Sequence, residues 1–142
     1  MGKTILWIED ETDVIDPVVR PLERAGHRVV RLHTAREALD TIDMARQTDL
    51  ILLDVALAPD DTLSQTTTEP TLSPSTGLDV LHRLRQASDA PPPVVVLTDL
   101  RCPQLKRVLQ TLDVADILYM PIRPSELRRR IEAVWATRLD QN

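Results

Sequence analysis

Acidic side chains follow two apolar runs of the chain, and their types suit metal and phosphoryl chemistry. Glu9, Asp10 and Glu11 come directly after the first run, Asp54 after a second, and the hydroxyl of Thr98 ends a third. Carboxylates without His or Cys neighbours are the ligands that Mg²⁺ prefers. A carboxylate beside such an ion and a hydroxyl can act as a nucleophile toward phosphorus. The pattern therefore indicates phosphoryl transfer onto Asp54.

Short apolar runs bounded by charge or proline predict strands that are buried on both faces. Apolar residues at helical spacing follow each run, so strand and helix alternate along the chain. This order predicts a parallel sheet with helices on both faces. In such a sheet the carboxyl ends of the strands meet at one edge, where we expect the acids and Thr98 to converge. The five predicted strands are Ile5–Ile8, Arg28–Leu32, Leu50–Leu53, Val94–Leu97 and Ile117–Tyr119.

Several helix boundaries carry recognisable signals. Thr34-Ala35-Arg36-Glu37 is a capping box that predicts the start of a helix. Gly26 is expected to end the first helix as a C-terminal cap. Pro17 suits the first turn of that helix with Asp16 as its cap, and Pro21 is expected to bend or shorten it.

Length and composition predict a single domain over residues 1–142. The net charge of −5 argues against a nucleic-acid-binding surface, and Arg128-Arg129-Arg130 is interpreted as a solvated helix face. Cys102 is the one cysteine, so no disulfide framework is expected. No apolar run is long enough for a membrane span and no signal peptide is present, which predicts a cytoplasmic protein.

The segment 59–76 is rich in Asp, Thr, Ser and Pro and has no periodicity. We interpret it as a flexible insertion inside the domain, since long structureless connections are uncommon unless functional or disordered. Two alternatives stay open: a mobile surface loop, or a lid or partner-docking arm beside Asp54.

The ordered set of motifs resembles a response-regulator receiver domain over nearly the whole chain. The residues that carry the resemblance are the acidic end of the first strand, the run into Asp54, the run into Thr98 and the closing Pro121. The resemblance implies a flavodoxin-like, doubly wound five-stranded parallel sheet of order 2-1-3-4-5. It also implies that a histidine kinase or phosphotransfer protein donates a phosphoryl group to Asp54.

By the same resemblance, Mg²⁺ would be held by Glu9, Asp10, Asp54 and the backbone carbonyl of Ala56. Thr98 would hydrogen-bond the phosphoryl group and act as the switch residue. The protein would not be an enzyme, beyond Mg²⁺-dependent self-phosphorylation and autodephosphorylation.

Three positions depart from the family pattern. Met120 stands where the family has Lys before the closing proline, and Ile117 stands where an aromatic switch residue is usual. Losing the charge-assisted bond of that Lys would remove about 1.5–3 kcal/mol from the phosphorylated state. Asp99 adds a negative charge where a small residue is usual. Arg101 and Arg123 are the two candidates for a replacement cation.

These features leave competing functions open. The first is a two-component receiver that signals through a downstream protein partner, with a homodimer through the last two helices and strand five as a further expectation. The alternative is a pseudo-receiver that binds partners independently of phosphorylation, which Met120 and Ile117 favour. A flavodoxin-like small-molecule binder or a Mg²⁺-dependent phosphatase is disfavoured by the scarcity of aromatic residues and by Ala56, where a second catalytic acid would be needed.

Overall fold

The computed structural model describes residues 2–9, 12–40, 47–54, 74–86, 91–99, 101 and 103–140. Its strands are β1 (Thr4–Ile8), β2 (Arg28–Leu32), β3 (Leu50–Leu53), β4 (Val94–Thr98) and β5 (Asp116–Tyr119). The helices in this part of the chain are α1 (Thr12–Arg24), α2 (Ala35–Asp40), α3 (Pro74–Gln86), α4 (Pro103–Thr111) and α5 (Pro124–Asp140). None of these described helices is long and apolar enough to cross a membrane.

The five strands form one parallel sheet in the order β2-β1-β3-β4-β5. The predicted fold class, flavodoxin-like with order 2-1-3-4-5, is therefore confirmed. β3 lies at the centre, with Leu53 in register with Ile8 on one side and with Val96 on the other. This register brings the residues that follow β1, β3 and β4 to the same edge.

The core lies on both faces of the sheet because successive side chains of a strand point to opposite faces. On β1, Leu6 and Ile8 join one apolar cluster, while Ile5 and Trp7 join the other. Residues of α2, α3 and α4 contribute to the first cluster, and residues of α1 and α5 to the second. Every side chain of β3 is fully buried, which confirms the predicted two-sided burial of this strand.

Two predicted helix ends have the expected hydrogen bonds. Gly26, with φ of 96°, ends α1: its N–H donates to the carbonyl of Glu23 (3.0 Å), and the N–H of His27 donates to that of Leu22 (3.1 Å). This is the pair of bonds that a Schellman cap requires. At the start of α2 the Glu37 N–H donates to the Thr34 hydroxyl over 3.0 Å, as the capping box predicts.

The predicted start of the first helix is wrong. Helix α1 begins at Thr12, so Pro17 and Pro21 both lie inside it and Asp16 is not its cap. Each proline removes one backbone donor. The helix nevertheless continues, since the Ala25 N–H donates to the Pro21 carbonyl over 3.0 Å, and its buried residues Val19 and Leu22 pack into the second core cluster. Burial of this apolar face offsets the two missing bonds.

The predicted insertion 59–76 lies outside the described residues except at its end. Residues 74–76 belong to helix α3, so the prediction of an irregular segment is wrong there. Pro74 occupies the first helical position, where its fixed φ suits a helix and its missing N–H costs nothing. The lid and docking interpretations concern residues 59–73 and stay predictions.

A group of ion pairs joins α1 to the edge strand β2. Asp16 accepts hydrogen bonds from the Nε atoms of Arg20 (2.6 Å) and Arg31 (2.9 Å), and Arg31 also donates to Glu23 over 2.7 Å. The Arg31 guanidinium lies 5.5 Å from the centre of the Trp7 ring. The hydrogen bonds from Arg20 and Arg31 lower the pKa of the Asp16 carboxyl below its ordinary value. These contacts fix α1 against β2.

Replacing a buried leucine of α4 tests the assigned core. We expect Leu109→Ala to lower the free energy of unfolding by about 2–4 kcal/mol, because it deletes buried methyl groups and leaves a cavity. The neighbouring Val108 is 42% exposed, so Val108→Ala is the matched control and should change stability by less than about 0.5 kcal/mol. Urea denaturation followed by circular dichroism measures both, and equal losses would contradict the assigned burial.

The Asp16 ion pairs make a pH-dependent contribution to stability. Because the pKa of Asp16 is lower in the folded protein, the contribution is present above the unfolded-state value and is lost as the pH falls through the folded-state value. We expect the free energy of unfolding of wild type to exceed that of Asp16→Asn by about 0.5–1 kcal/mol above about pH 5. This difference should vanish in stronger acid. Asp113→Asn is the control, since Asp113 is exposed and forms no ion pair with the described residues. A difference that grew in acid would refute the assignment.

Candidate functional site

The carboxyl edge of the sheet brings Glu9, Asp54 and Thr98 to the ends of three adjacent strands. Glu9 follows β1, Asp54 follows the central β3, and Thr98 is the last residue of β4. The Asp54 N–H donates to the carbonyl of Ile8 over 3.0 Å, which joins the two acidic strand ends directly. The predicted convergence of these three residues at one edge is therefore observed.

All three side chains are buried, although each is polar. Glu9 is 2% exposed, Asp54 9% and Thr98 2%. Burying a carboxylate is costly unless other groups compensate its charge. Each of the three takes part in an interaction within the molecule. The burial distinguishes them from the solvated acids of the surface and gives the edge a donor set of hard oxygen atoms.

The remaining predicted metal ligands, Asp10 and Ala56, lie outside the described residues. Within the described part of the chain, no group of three or more His, Cys, Asp or Glu side chains converges. Of the predicted ligands, the described residues include Glu9 and Asp54, whose carboxylates are of the type that Mg²⁺ prefers.

The end of β5 has no cationic side chain of its own. Met120 donates its N–H to the carbonyl of Thr98 over 2.9 Å, and the Met120–Pro121 peptide bond is cis. The Met120 side chain packs against the α1/α5 core cluster, and Ile117 packs against the opposite cluster. The departures at Met120 and Ile117 thus have apolar contacts, and neither side chain can pair with an anion.

Of the two candidate cations, the structure brings Arg101 to this place. Its guanidinium carbon lies 4.9 Å from the centre of the Tyr119 ring, and its Nη2 donates to the carbonyl of Met120 over 3.4 Å. Arg123 is exposed in the segment before α5. Sequence reasoning assigned Tyr119 only to a strand and missed its contact with Arg101. In the sequence, only the scarcity of aromatic residues could have singled out Tyr119. The contact with Arg101 itself depends on the pairing of β4 with β5.

A cavity of about 440 Å³ lies at the opposite edge of the sheet, where the strands begin. The side chain of Arg130 forms two hydrogen bonds with the Asp116 carboxylate there, of 2.8 and 2.7 Å, and Pro91, Pro92 and Pro93 line another side. None of the site residues lines it. The acidic edge is the better candidate, because the Asp116 carboxylate at the cavity is already paired with the Arg130 guanidinium, whereas two buried carboxylates and a buried hydroxyl lie at the acidic edge.

The structure is thus a flavodoxin-like α/β domain with a buried aspartate after the central strand of its 2-1-3-4-5 sheet. The model of the response regulator receiver domain matches residues 5–132, so the chain belongs to that family. Receiver domains are signalling modules that interact with histidine kinases and downstream effectors, and the family uses Mg²⁺ for phosphorylation. The family match favours a two-component receiver over the phosphorylation-independent alternative.

Two curated relatives are similar in sequence. Regulatory protein VanR of Enterococcus faecium is 29% identical over 133 residues, which are 94% of this chain and 50% of VanR. Transcriptional regulatory protein YvrH of Bacillus subtilis is 28% identical over 131 residues, which are 92% of this chain and 48% of YvrH. The chain therefore spans about half the length of these relatives.

Solved structures confirm the fold. A CheY-like response regulator receiver domain from Methanospirillum hungatei has a TM-score of 0.78 at 20% identity, with both chains fully covered. The BeF3-activated receiver domain of RstA from Klebsiella pneumoniae has a TM-score of 0.70 at 22% identity, covering 92% of this chain and 96% of RstA's.

Proposed function

We propose that Asp54 is the phosphoacceptor of this receiver domain. The observation that carries the proposal is the position of its buried carboxylate, at the end of the central strand between Glu9 and Thr98. A phosphodonor bound at this edge would meet the carboxylate of Asp54, which can attack the phosphorus. The carboxylate of Glu9 could bind the same cation as Asp54. We also propose that residues 1–142 form one receiver domain, with an insertion over residues 59–73 before helix α3.

In the proposed reaction an oxygen of Asp54 attacks the phosphorus of a phosphohistidine. The phosphorus–nitrogen bond breaks, its electron pair returns to the imidazole, and an acyl phosphate forms on Asp54. Thr98 donates its hydroxyl proton in a hydrogen bond to a phosphoryl oxygen. Glu9, Asp10, Asp54 and the carbonyl of Ala56 would hold Mg²⁺, and the ion would supply positive charge beside the phosphoryl oxygens.

The proposal extends to the partners of the domain. A histidine kinase or phosphotransfer protein donates the phosphoryl group, and the phosphorylated form binds a downstream protein. Phosphorylation biases a two-state surface formed by α4, β5 and α5, which also serves as a homodimer contact. The domain works in the cytoplasm without binding nucleic acid itself, and its catalysis is limited to self-phosphorylation and autodephosphorylation.

Phosphorylation of Asp54 is testable by intact mass. Incubation with Mg²⁺ and a small phosphodonor such as phosphoramidate should add one phosphoryl group to wild type, and Asp54→Asn should abolish the gain because the amide is not a nucleophile. Asp113→Asn, at the far edge of the sheet, should gain the group as wild type does. Absence of a gain in wild type with both the small donor and the cognate kinase would refute the proposal.

Magnesium binding tests the metal half of the site separately. Trp7 is buried in β1 close to Glu9, so its fluorescence is expected to report Mg²⁺ binding. Glu9→Gln and Asp54→Asn should each weaken the affinity by about tenfold or more, because each removes a negative oxygen ligand. Asp113→Asn should bind with wild-type affinity. Unchanged binding by both site variants would exclude this location for the ion.

A further inference from the structure

The carboxyl edge concentrates negative charge. Glu9 and Asp54 are buried there, and Asp99 follows β4 directly. Phosphorylation would roughly double the negative charge carried at Asp54. A cationic side chain that reaches the phosphoryl oxygens would stabilise this product through charge-assisted hydrogen bonds. Met120 cannot provide one, since its side chain is uncharged and packs against the α1/α5 core cluster.

Arg101 lies in the connection between β4 and α4, and its side chain turns back over the end of β5. It contacts the ring of Tyr119 and the carbonyl of Met120. Both residues are joined to Thr98: Tyr119 is its partner in the strand register, and Met120 donates its N–H to the Thr98 carbonyl. The guanidinium therefore lies beside the end of β4, the strand adjacent to the one that ends at Asp54.

The contacts of Arg101 leave it able to bind an anion. Its one hydrogen bond with the described residues, of 3.4 Å, is long for an N–H donor and hence weak, and a guanidinium has five donors in all. Arg101 forms no ion pair with a carboxylate in the described part of the chain. By contrast, the Arg31 and Arg130 side chains are each bound to two carboxylates. Tyr119 supplies a flat surface on which the guanidinium rests without giving up its donors.

We propose that Arg101 is the cation that pairs with the phosphoryl group on Asp54. The inference rests on the proposed phosphorylation of that residue. In the unmodified protein, Tyr119 and the Met120 carbonyl hold the guanidinium at the edge of the site. After transfer, its N–H groups turn from the carbonyl to the phosphoryl oxygens. Arg101 transfers no proton; it stabilises charge while the phosphorus–nitrogen bond of the donor breaks and the bond to the Asp54 oxygen forms.

The experiment uses beryllofluoride as a phosphoryl mimic in the presence of saturating Mg²⁺, with binding followed by tryptophan fluorescence. Arg101→Ala should weaken the apparent affinity for beryllofluoride by about 10- to 100-fold, because it removes a charge-assisted hydrogen bond. Its affinity for Mg²⁺ alone should be unchanged or tighter, since a cation near the carboxylates has been removed. A structural disturbance of the site would weaken both.

Four further variants sharpen the comparison. Arg101→Lys should retain part of the affinity, and Arg101→Gln should lose it while keeping a side chain that can still donate to the Met120 carbonyl. The double variant Arg101→Ala with Met120→Lys should recover affinity, because it restores a cation at the end of β5. Arg83→Ala, which removes an exposed arginine from the last turn of α3, is the matched control and should bind as wild type does.

The outcomes separate this inference from the proposed function. Wild-type beryllofluoride affinity in Arg101→Ala would overturn the role of Arg101, while the mass gain on Asp54 still stood. An equal loss of Mg²⁺ and beryllofluoride affinity would also overturn it. If Arg101→Ala does not fold, Arg101→Gln decides by the same two affinities. A wild type that neither gains mass nor binds beryllofluoride would refute the phosphoacceptor itself.

Discussion

The burial of β3 between β1 and β4 is the constraint on which the rest of the molecule depends. All four of its side chains are apolar and fully buried, so the strand is stable only at the centre of a sheet that helices cover on both faces. Parallel pairing with both neighbours then sets the register. As a consequence Asp54 emerges beside the ends of two other strands, and its carboxylate is held in a buried place that no isolated strand could provide.

The same arrangement creates an electrostatic problem. Carboxylates that converge at one edge repel each other, and a phosphoryl group adds to the repulsion. A divalent ion and a cationic side chain are the two ways to offset it. In this chain the residue at the end of β5 is Met120, whose partly buried side chain packs against the α1/α5 core cluster. The side chain of Arg101, from the connection between β4 and α4, also lies at the end of β5. The positive charge is therefore carried by a residue of this connection and not by a residue of β5.

Much of the fold could be predicted because apolar periodicity and chain order are local signals. All five strands, the sheet order and the caps at Gly26 and Thr34 agree with the structure. The start of α1 could not be predicted from its prolines, since burial of Val19 and Leu22 outweighs two missing backbone bonds. Pro74 was likewise assigned to an irregular segment, although proline at the first position of a helix is favourable.

The sequence alone determined the fold class, the family resemblance and the three polar residues at the strand ends, because each depends on residue type and position along one strand. It also exposed the missing lysine, yet left Arg101 and Arg123 equivalent as replacements. Only the tertiary structure distinguished them. The contact of Arg101 with Tyr119 and Met120 exists because β4 and β5 pair in a particular register, and that register results from packing across the whole sheet.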